Sequence, residues 1–325
     1  MILEHVALLF ISLLISGFSA LFVMKYGEQL GLYDAPNGRS SHKNIVPAGG
    51  GVGIIGAFVL SSMILVIPIY FWLPVSIVAV VSLWSDKIVI SPLLRLINQF
   101  VCCFIFIICF FYSQHTSAGV YLLSIPISVF IVGTSNFYNF MDGIDGIAGI
   151  TGVIAFSFLA GYIRLKDIPG PNGIICMVVV VSCLVFLLFN FPRSKIFMGD
   201  VGSVPIGFIF GCMAIILSKQ LIDFLIIAGF LFPFYFDALF TMGIRIRRRE
   251  SLFKAHRKHI YQLLANELEI VHWKVSLLYA LIQIIVGITA LIVGQWGMAF
   301  VLASYAIYSV VFLIIAMRIR KAACL

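Results

Sequence analysis

The sequence predicts an all-α, polytopic integral membrane protein, and three observations carry that prediction. Of its 325 residues, 62% are hydrophobic and only 10% are charged, against roughly 25% charged in a soluble domain. Apolar runs of about 20 residues, enough to cross the hydrocarbon core of a bilayer, recur from one end to the other. Inside lipid a chain must satisfy its own backbone polar groups, which selects helices as the spanning element.

In order, the apolar runs place eleven helices at about 3–24, 51–70, 72–84, 94–112, 120–138, 147–163, 172–190, 204–218, 221–242, 275–294 and 297–317. Ten or eleven of these are expected to cross the membrane, the third being short. The first run follows Glu4 and His5 instead of a basic region, and no small-residue cleavage site succeeds it, so it is expected to persist as a helix. With the N-terminus outside, the loops at about 25–50, 85–93, 139–146, 191–203 and 243–274 are cytoplasmic. All of the 21 Lys and Arg except Arg164, Lys166 and Lys219 then lie inside, as the positive-inside rule requires. Topology thereby accounts for the net charge of +8, and no nucleic-acid partner is expected. The seven cysteines sit mostly within apolar runs without metal-ligand spacing. No internal repeat or low-complexity linker divides residues 1–325, which are read as one catalytic domain.

Asp86, Asp142, Asp145, Asp200 and Asp237 all fall on the cytoplasmic side, although only basic residues were used to orient the chain. Ionisable groups at a membrane are costly and mark function by default. In NFYNFMDGIDGIAG (136–149), Asn139, Asp142 and Asp145 step by three along one helical face. Carboxylates this close need a cation or hydrogen-bond donors, and Mg²⁺ meets that need; the alternative is a helix-ending loop that satisfies backbone groups. KIFMGDVGSVPIG (195–207) sets Asp200 in a glycine-flanked turn at a helix start, suited to an anion, with Phe197 as a stacking surface. Alone, such a GDxGS turn is more often structural; beside the first cluster it gains weight as a site.

The long basic loop contributes RIRRRESLFKAHRKHIYQLL (245–264). Arg245 to Arg249 read mostly as a stop signal at the membrane surface, whereas His256, Arg257, Lys258 and His259 suit a diphosphate and its leaving group. In YDAPNGRSSHKNIVPAGGG (33–51), Arg39, Ser40 and His42 suit phosphate, and the glycines read equally as a flexible entry to the second helix. SLWSDKIVISPLLRLINQF (82–100) supplies Asp86 and Arg95.

In this order, the five stretches resemble glycosyltransferase family 4, the bacterial polyprenyl-phosphate N-acetylhexosamine-1-phosphate transferases, over roughly residues 33 to 262. The RSSH and AHRxHxYQ forms are most similar to the subgroup that initiates O-antigen or capsule repeats. The resemblance implies transfer of a sugar 1-phosphate from a UDP-N-acetylhexosamine to undecaprenyl phosphate at the cytoplasmic face of the bacterial inner membrane, with release of UMP. It implies Mg²⁺, with Mn²⁺ as a substitute, held by Asn139 and Asp200. Asp142 and Asp145 would line the nucleotide pocket, Phe197 would stack on uracil, and Gly199, Arg39, His42 and Arg257 would join the substrate contacts. Asp86, Arg95, His256 and His259 are the expected catalytic residues. Membrane lipids are expected partners, and a homodimer is compatible with the sequence.

Two positions depart from the family pattern. Ser85 stands where the first of two paired aspartates is expected, and Ala48 stands where a basic residue often precedes the glycine run. A phosphomonoester is mostly dianionic at pH 7, so the attacking lipid phosphate hardly needs a base. An active enzyme with Asp86 orienting the acceptor is therefore expected, a weakened paralogue being the alternative. A CDP-alcohol phosphotransferase is disfavoured because Gly149 occupies the position of its motif arginine. A transporter or flippase would place its ionisable groups nearer the midplane.

Overall fold

The computed structural model describes residues 2–35, 45–88, 90–251 and 257–323. Helix α1 (Ile2–Tyr26) leads into a two-stranded antiparallel ribbon, β1 (Tyr33–Asp34) with β2 (Val46–Pro47), in which Tyr33 faces Pro47. Then follow α2 (Gly51–Ile64), α3 (Ile69–Lys87), α4 (Pro92–Ser113), α5 (Ser124–Phe140), α6 (Ile147–Leu165), α7 (Asn172–Asn190) and α8 (Asp200–Leu217). The remainder comprises α9 (Leu221–Gly229), α10 (Phe232–Arg247), the short α11 (Ile260–Gln262), α12 (His272–Val293) and α13 (Met298–Ala322). Among the described residues, nine helices are long and apolar enough to cross a membrane, or ten if the bent pair α9 and α10 counts as one span. The chain is thus an all-α, multi-pass membrane protein.

Three of the differences from the sequence expectation shape the fold around the polar residues. The run at 51–70 is interrupted: α2 ends at Ile64, Val66 adopts a left-handed φ of 52°, and α3 starts directly after Pro68. Proline disfavours helix in the residue before it, and hydropathy cannot see a turn built from Leu65, Val66 and Ile67. The expected short third helix is in consequence a full-length α3. At 14 residues, α2 reaches only about 21 Å and falls short of the roughly 30 Å hydrocarbon core. The run at 221–242 breaks between Gly229 and Phe232, where the axis turns by 84°. Pro233, in the first turn of α10, has no N–H to continue the α9 ladder. Finally, α8 begins at Asp200, four residues before the expected start, because its first amides are capped from α3.

Helix α8 is the axis of the fold. Every residue from Val201 to Ala214 is buried, with α2, α3, α5, α6 and α9 packed around it. Glycines allow the closest approaches: a Cβ on Gly207 would lie 2.8 Å from the Cα of Ser135 in α5. At the other extreme, α13 keeps only Val301, Phe312, Ala316 and Arg320 buried and presents Phe300, Leu302, Ile307 and Val310 outward, as a lipid-facing helix does.

Candidate active site

The polar residues gather where the C-terminal ends of α3 and α5 meet the N-terminal ends of α4 and α8. Asp200 is the first residue of α8, and its carboxylate is shared. Its Oδ2 lies 2.6 Å from a guanidinium nitrogen of Arg95, and its Oδ1 accepts a 2.7 Å hydrogen bond from Nδ2 of Asn139. The same Nδ2 donates to Oγ of Ser203 one turn further along α8, at 2.9 Å. Asp86 lies behind this group. Its Oδ1 accepts from the Asp200 amide at 2.9 Å and its Oδ2 from the Val201 amide at 3.1 Å. These are two of the orphan donors at a helix start, so Asp86 caps α8 from a different helix. Ser85, at the departure from the family pattern, is the half-buried residue beside it.

The turn before α8 is held by backbone contacts. Phe197 donates its amide to Pro47 O at 2.8 Å, and its carbonyl accepts from Gly49 and Gly50 at 3.2 and 2.9 Å. Gly199 has φ +76°, and a Cβ there would meet Asp86 Oδ2 at 2.8 Å and Gly49 N at 2.9 Å. A Cβ on Gly51 would overlap the Cα of Gly202. The glycine run 49–51 is accordingly not a flexible entry to α2; it lets two backbones touch without intervening side chains.

Asp142 and Asp145, three residues apart, have different surroundings. Among the described residues nothing hydrogen-bonds the Asp142 carboxyl; burial, with the charges of Asp200 and Asp86 beside it, pushes its pKa up to about 7. Burial works in the same direction on Asp145, but hydrogen bonds from His272 and Ser194 outweigh it and hold that carboxyl below its usual range. Ser194 Oγ donates to Asp145 Oδ1 at 2.5 Å, and His272 Nδ1 lies 3.2 Å from Oδ2. Asp145 thereby joins the α7–α8 loop to the start of α12. Asn136, further round the α5 face, donates to Gln99 at 2.6 Å.

The described part of the basic loop is fixed residue by residue. Arg257 pairs with Glu267 at 2.8 Å and Lys258 with Glu250 at 2.6 Å. His259 is only 3% exposed, and its Nδ1 lies 3.2 Å from Oδ1 of Asp237, itself fully buried. Arg39, Ser40, His42 and His256 lie outside the described residues. Arg245 departs from the expected stop signal. Its side chain is buried, donates to the Ser251 carbonyl and lies 3.5 Å from Glu250, which makes it part of the loop's support.

Sequence reasoning missed four contributors: Ser203, Asn190, His272 and, as a site residue, Asp237. Asn190 accepts the Gly146 amide at 2.8 Å and donates to Ser194 and Ile196, joining two loops far apart in sequence. Only the clustering of acids on one side gave a signal for Asp237; the others are single polar residues within or beside apolar runs.

The donor set fits a hard divalent cation. It consists of oxygens alone, from Asp200, Asn139 and the unpartnered Asp142, with more carboxylate charge than Arg95 balances. Rotating the Asn139 amide would turn its Oδ1 toward Asp200, an arrangement of two acceptors that calls for a cation between them. Among the described residues no three His, Cys, Asp or Glu side chains gather to hold a metal by themselves, so a bound ion would draw further ligands from amide oxygen, water or substrate phosphate.

Residues 68–218, from the start of α3 to the end of α8, match the family model described as Glycosyl transferase family 4. That span contains Asp86, Arg95, Asn139, Asp142, Asp145, Phe197, Gly199 and Asp200. A phospho-N-acetylmuramoyl-pentapeptide-transferase of Staphylococcus epidermidis is 27% identical over 307 residues, covering 83% of this chain and 91% of that protein. A protein of the same description from Rickettsia canadensis is 31% identical over 199 residues, 53% of each chain. One from Buchnera aphidicola is 34% identical over 134 residues, 39% of this chain and 37% of the relative. With the apolar helices, this similarity identifies a multi-pass protein of the bacterial inner membrane.

Proposed function

Because the chain belongs to glycosyl transferase family 4, we propose that it transfers an N-acetylhexosamine 1-phosphate from a UDP-sugar to undecaprenyl phosphate and releases UMP. The observation that carries this reading is the junction of Arg95, Asn139 and Asp86 on Asp200 at the start of a buried helix. It joins carboxylate oxygens, a guanidinium and helix N-terminal amides, the groups that phosphates and their counter-ion require. Positive-inside orientation supports a cytoplasmic location for this face, which suits a water-soluble nucleotide meeting a lipid phosphate.

In the mechanism a phosphate oxygen of the lipid attacks the β-phosphorus of the donor. A P–O bond forms there as the bond from the β-phosphorus to the bridging oxygen breaks, and the electron pair leaves with UMP. Phosphoryl transfer of this kind depends mainly on position and charge. Asn139 and Asp200, with Asp142 beside them, would hold Mg²⁺ or Mn²⁺, which supplies Lewis-acid neutralisation of the diphosphate. Arg95 adds a fixed positive charge next to Asp200, and Asp86 keeps α8 in register so that Asp200 faces the phosphates. Phe197 offers a ring to the uracil. Arg257 and His259 complete the phosphate contacts.

The finer assignment is to a GlcNAc, FucNAc or QuiNAc donor and to initiation of O-antigen or another surface polysaccharide, supported by the RSSH and AHRKHIYQ stretches. The names of the relatives favour a second reading, in which the donor is UDP-MurNAc-pentapeptide. Purified protein given undecaprenyl phosphate, Mg²⁺ and each UDP-sugar in turn, with mass spectrometry of the lipid product, separates the two. Asp200→Asn is expected to abolish Mg²⁺-dependent UMP release; full activity in that variant refutes the site.

A further inference from the structure

Five donors converge on the carboxylate of Asp237, which lies within α10 and is fully buried. Oδ1 receives Thr241 Oγ1 at 3.2 Å, His259 Nδ1 at 3.2 Å and the Ile260 amide at 2.9 Å. Oδ2 receives the Tyr261 amide at 3.2 Å and the Tyr279 hydroxyl, from α12, at 2.6 Å. A carboxylate has about four lone-pair sites, so this one is saturated. A buried charge persists only when it is paired and hydrogen-bonded in this way.

Three of the five contacts fall on consecutive residues, 259 to 261, from the basic loop. One is a side chain and two are backbone amides, so the carboxylate fixes both the path of the loop and the orientation of the imidazole. The constraint extends further, because the Tyr261 hydroxyl donates to the Phe140 carbonyl at 2.9 Å, one residue beyond Asn139. From the opposite side Arg320 of α13 donates to the Lys258 carbonyl at 3.3 Å.

We propose that Asp237 is the positioning residue of the histidine loop: it engages His259 through Nδ1, so that the ring meets phosphate or exchanges a proton through Nε2. Beside a carboxylate, Nδ1 carries the proton, and the second nitrogen is thereby defined. An asparagine would fill the same volume, but its amide nitrogen would oppose one of the donors now bound. Only an anion accepts from all five. The inference rests on the loop's role in the proposed transfer reaction.

The test is UMP release by the full-length purified protein across a pH series, with the UDP-sugar that supports turnover and undecaprenyl phosphate. The other titratable or charged groups around the pair are Tyr261, Lys258, Tyr279, Arg320, Arg248, Glu250 and Asp142, and all remain unchanged in Asp237→Asn. That variant is expected to lose about 10- to 100-fold in kcat, the scale known for removing the carboxylate behind a metal-bound histidine, with donor KM within about threefold. Its pH–rate profile should change as well, because the carboxylate that engages His259 Nδ1 at 3.2 Å is gone. Asp237→Glu should restore part of kcat and of the profile. Tyr279→Phe removes one donor from the carboxylate and should change kcat and the profile in a milder form, with donor KM again little moved; this variant decides the matter if Asp237→Asn does not fold. A fall in activity that follows thermal stability with both profiles unmoved would overturn the proposal. Full turnover in His259→Ala would instead withdraw the functional role of the loop, and the positioning role with it.

Discussion

Asp86 caps the helix that begins with Asp200: one carboxylate oxygen holds the Asp200 amide at 2.9 Å and the other holds the next amide at 3.1 Å. The expected acceptor-orienting residue is also a structural support for the residue proposed to bind metal, so a loss of activity on replacing it has two sources. Asp86→Ala should cost about 0.5–2 kcal/mol of stability, the range for a lost helix cap, and should lower apparent Mg²⁺ affinity as well as turnover. Thermal unfolding in detergent and Mg²⁺ titration of UMP release measure the two effects. Loss of turnover with unchanged stability and unchanged Mg²⁺ affinity would leave only the chemical role.

Gly51→Ala tests the contact between the glycine run and α8. The added methyl would overlap the Cα of Gly202, and neither backbone is a flexible side chain that can move aside. Overpacking of this kind costs about 1–3 kcal/mol. The expected result is a lower melting temperature together with weakened donor binding, because the shift is transmitted to the Phe197–Asp200 turn. Gly161→Ala is the control for replacing a helical glycine, since no atom lies within 4 Å of a Cβ there; it should leave both melting temperature and donor binding undiminished.

Asp142 predicts a pH dependence of stability. Its carboxyl titrates at about 7 in the folded protein and near 3.9 in an unfolded chain. Between about pH 4 and pH 7 the folded protein holds a proton that the unfolded chain has released, so this residue's contribution to stability falls as the pH rises. Above about 7 the buried charge is fully expressed and its cost is complete. Asp142→Asn should flatten the decline. Melting temperatures of wild type and variant at pH 5 and pH 7.5, in the absence of divalent cations, should diverge at the higher pH, with the variant the more stable; equal slopes would remove Asp142 as the cause.

The helices were legible because hydropathy reports burial in lipid directly. Their interruptions were not. Leu65, Val66 and Ile67 are as apolar as the helices they separate, and Gly229, where α9 ends, packs closely against the Tyr305 side chain from α13, a contact that the local sequence does not announce. The acidic cluster was legible as a set of positions, since Asp86, Asn139, Asp142 and Asp200 each stand at a boundary of an apolar run. Their individual environments were not. Asp142 and Asp145 share the same DG context, yet one has no hydrogen-bond partner among the described residues and the other is engaged by Ser194 and His272. That difference depends on which helices pack nearby. Asp237 could be assigned to a side of the membrane, but its five donors come from α10, the loop and α12, and no local pattern encodes their meeting.

The contact at Gly51 and Gly202 also bears on how such a protein can diverge. A substitution that changes only the size or charge of a side chain can leave the framework in place. Here the touching surfaces are main chain on both sides, so there is no smaller residue to accept and no larger one to accommodate. The spacing between the first cytoplasmic segment and the Asp200 turn behaves as a fixed gauge. Innovation in the sugar that is handled has to be written into the flanking loops, which can be rewritten without resetting it.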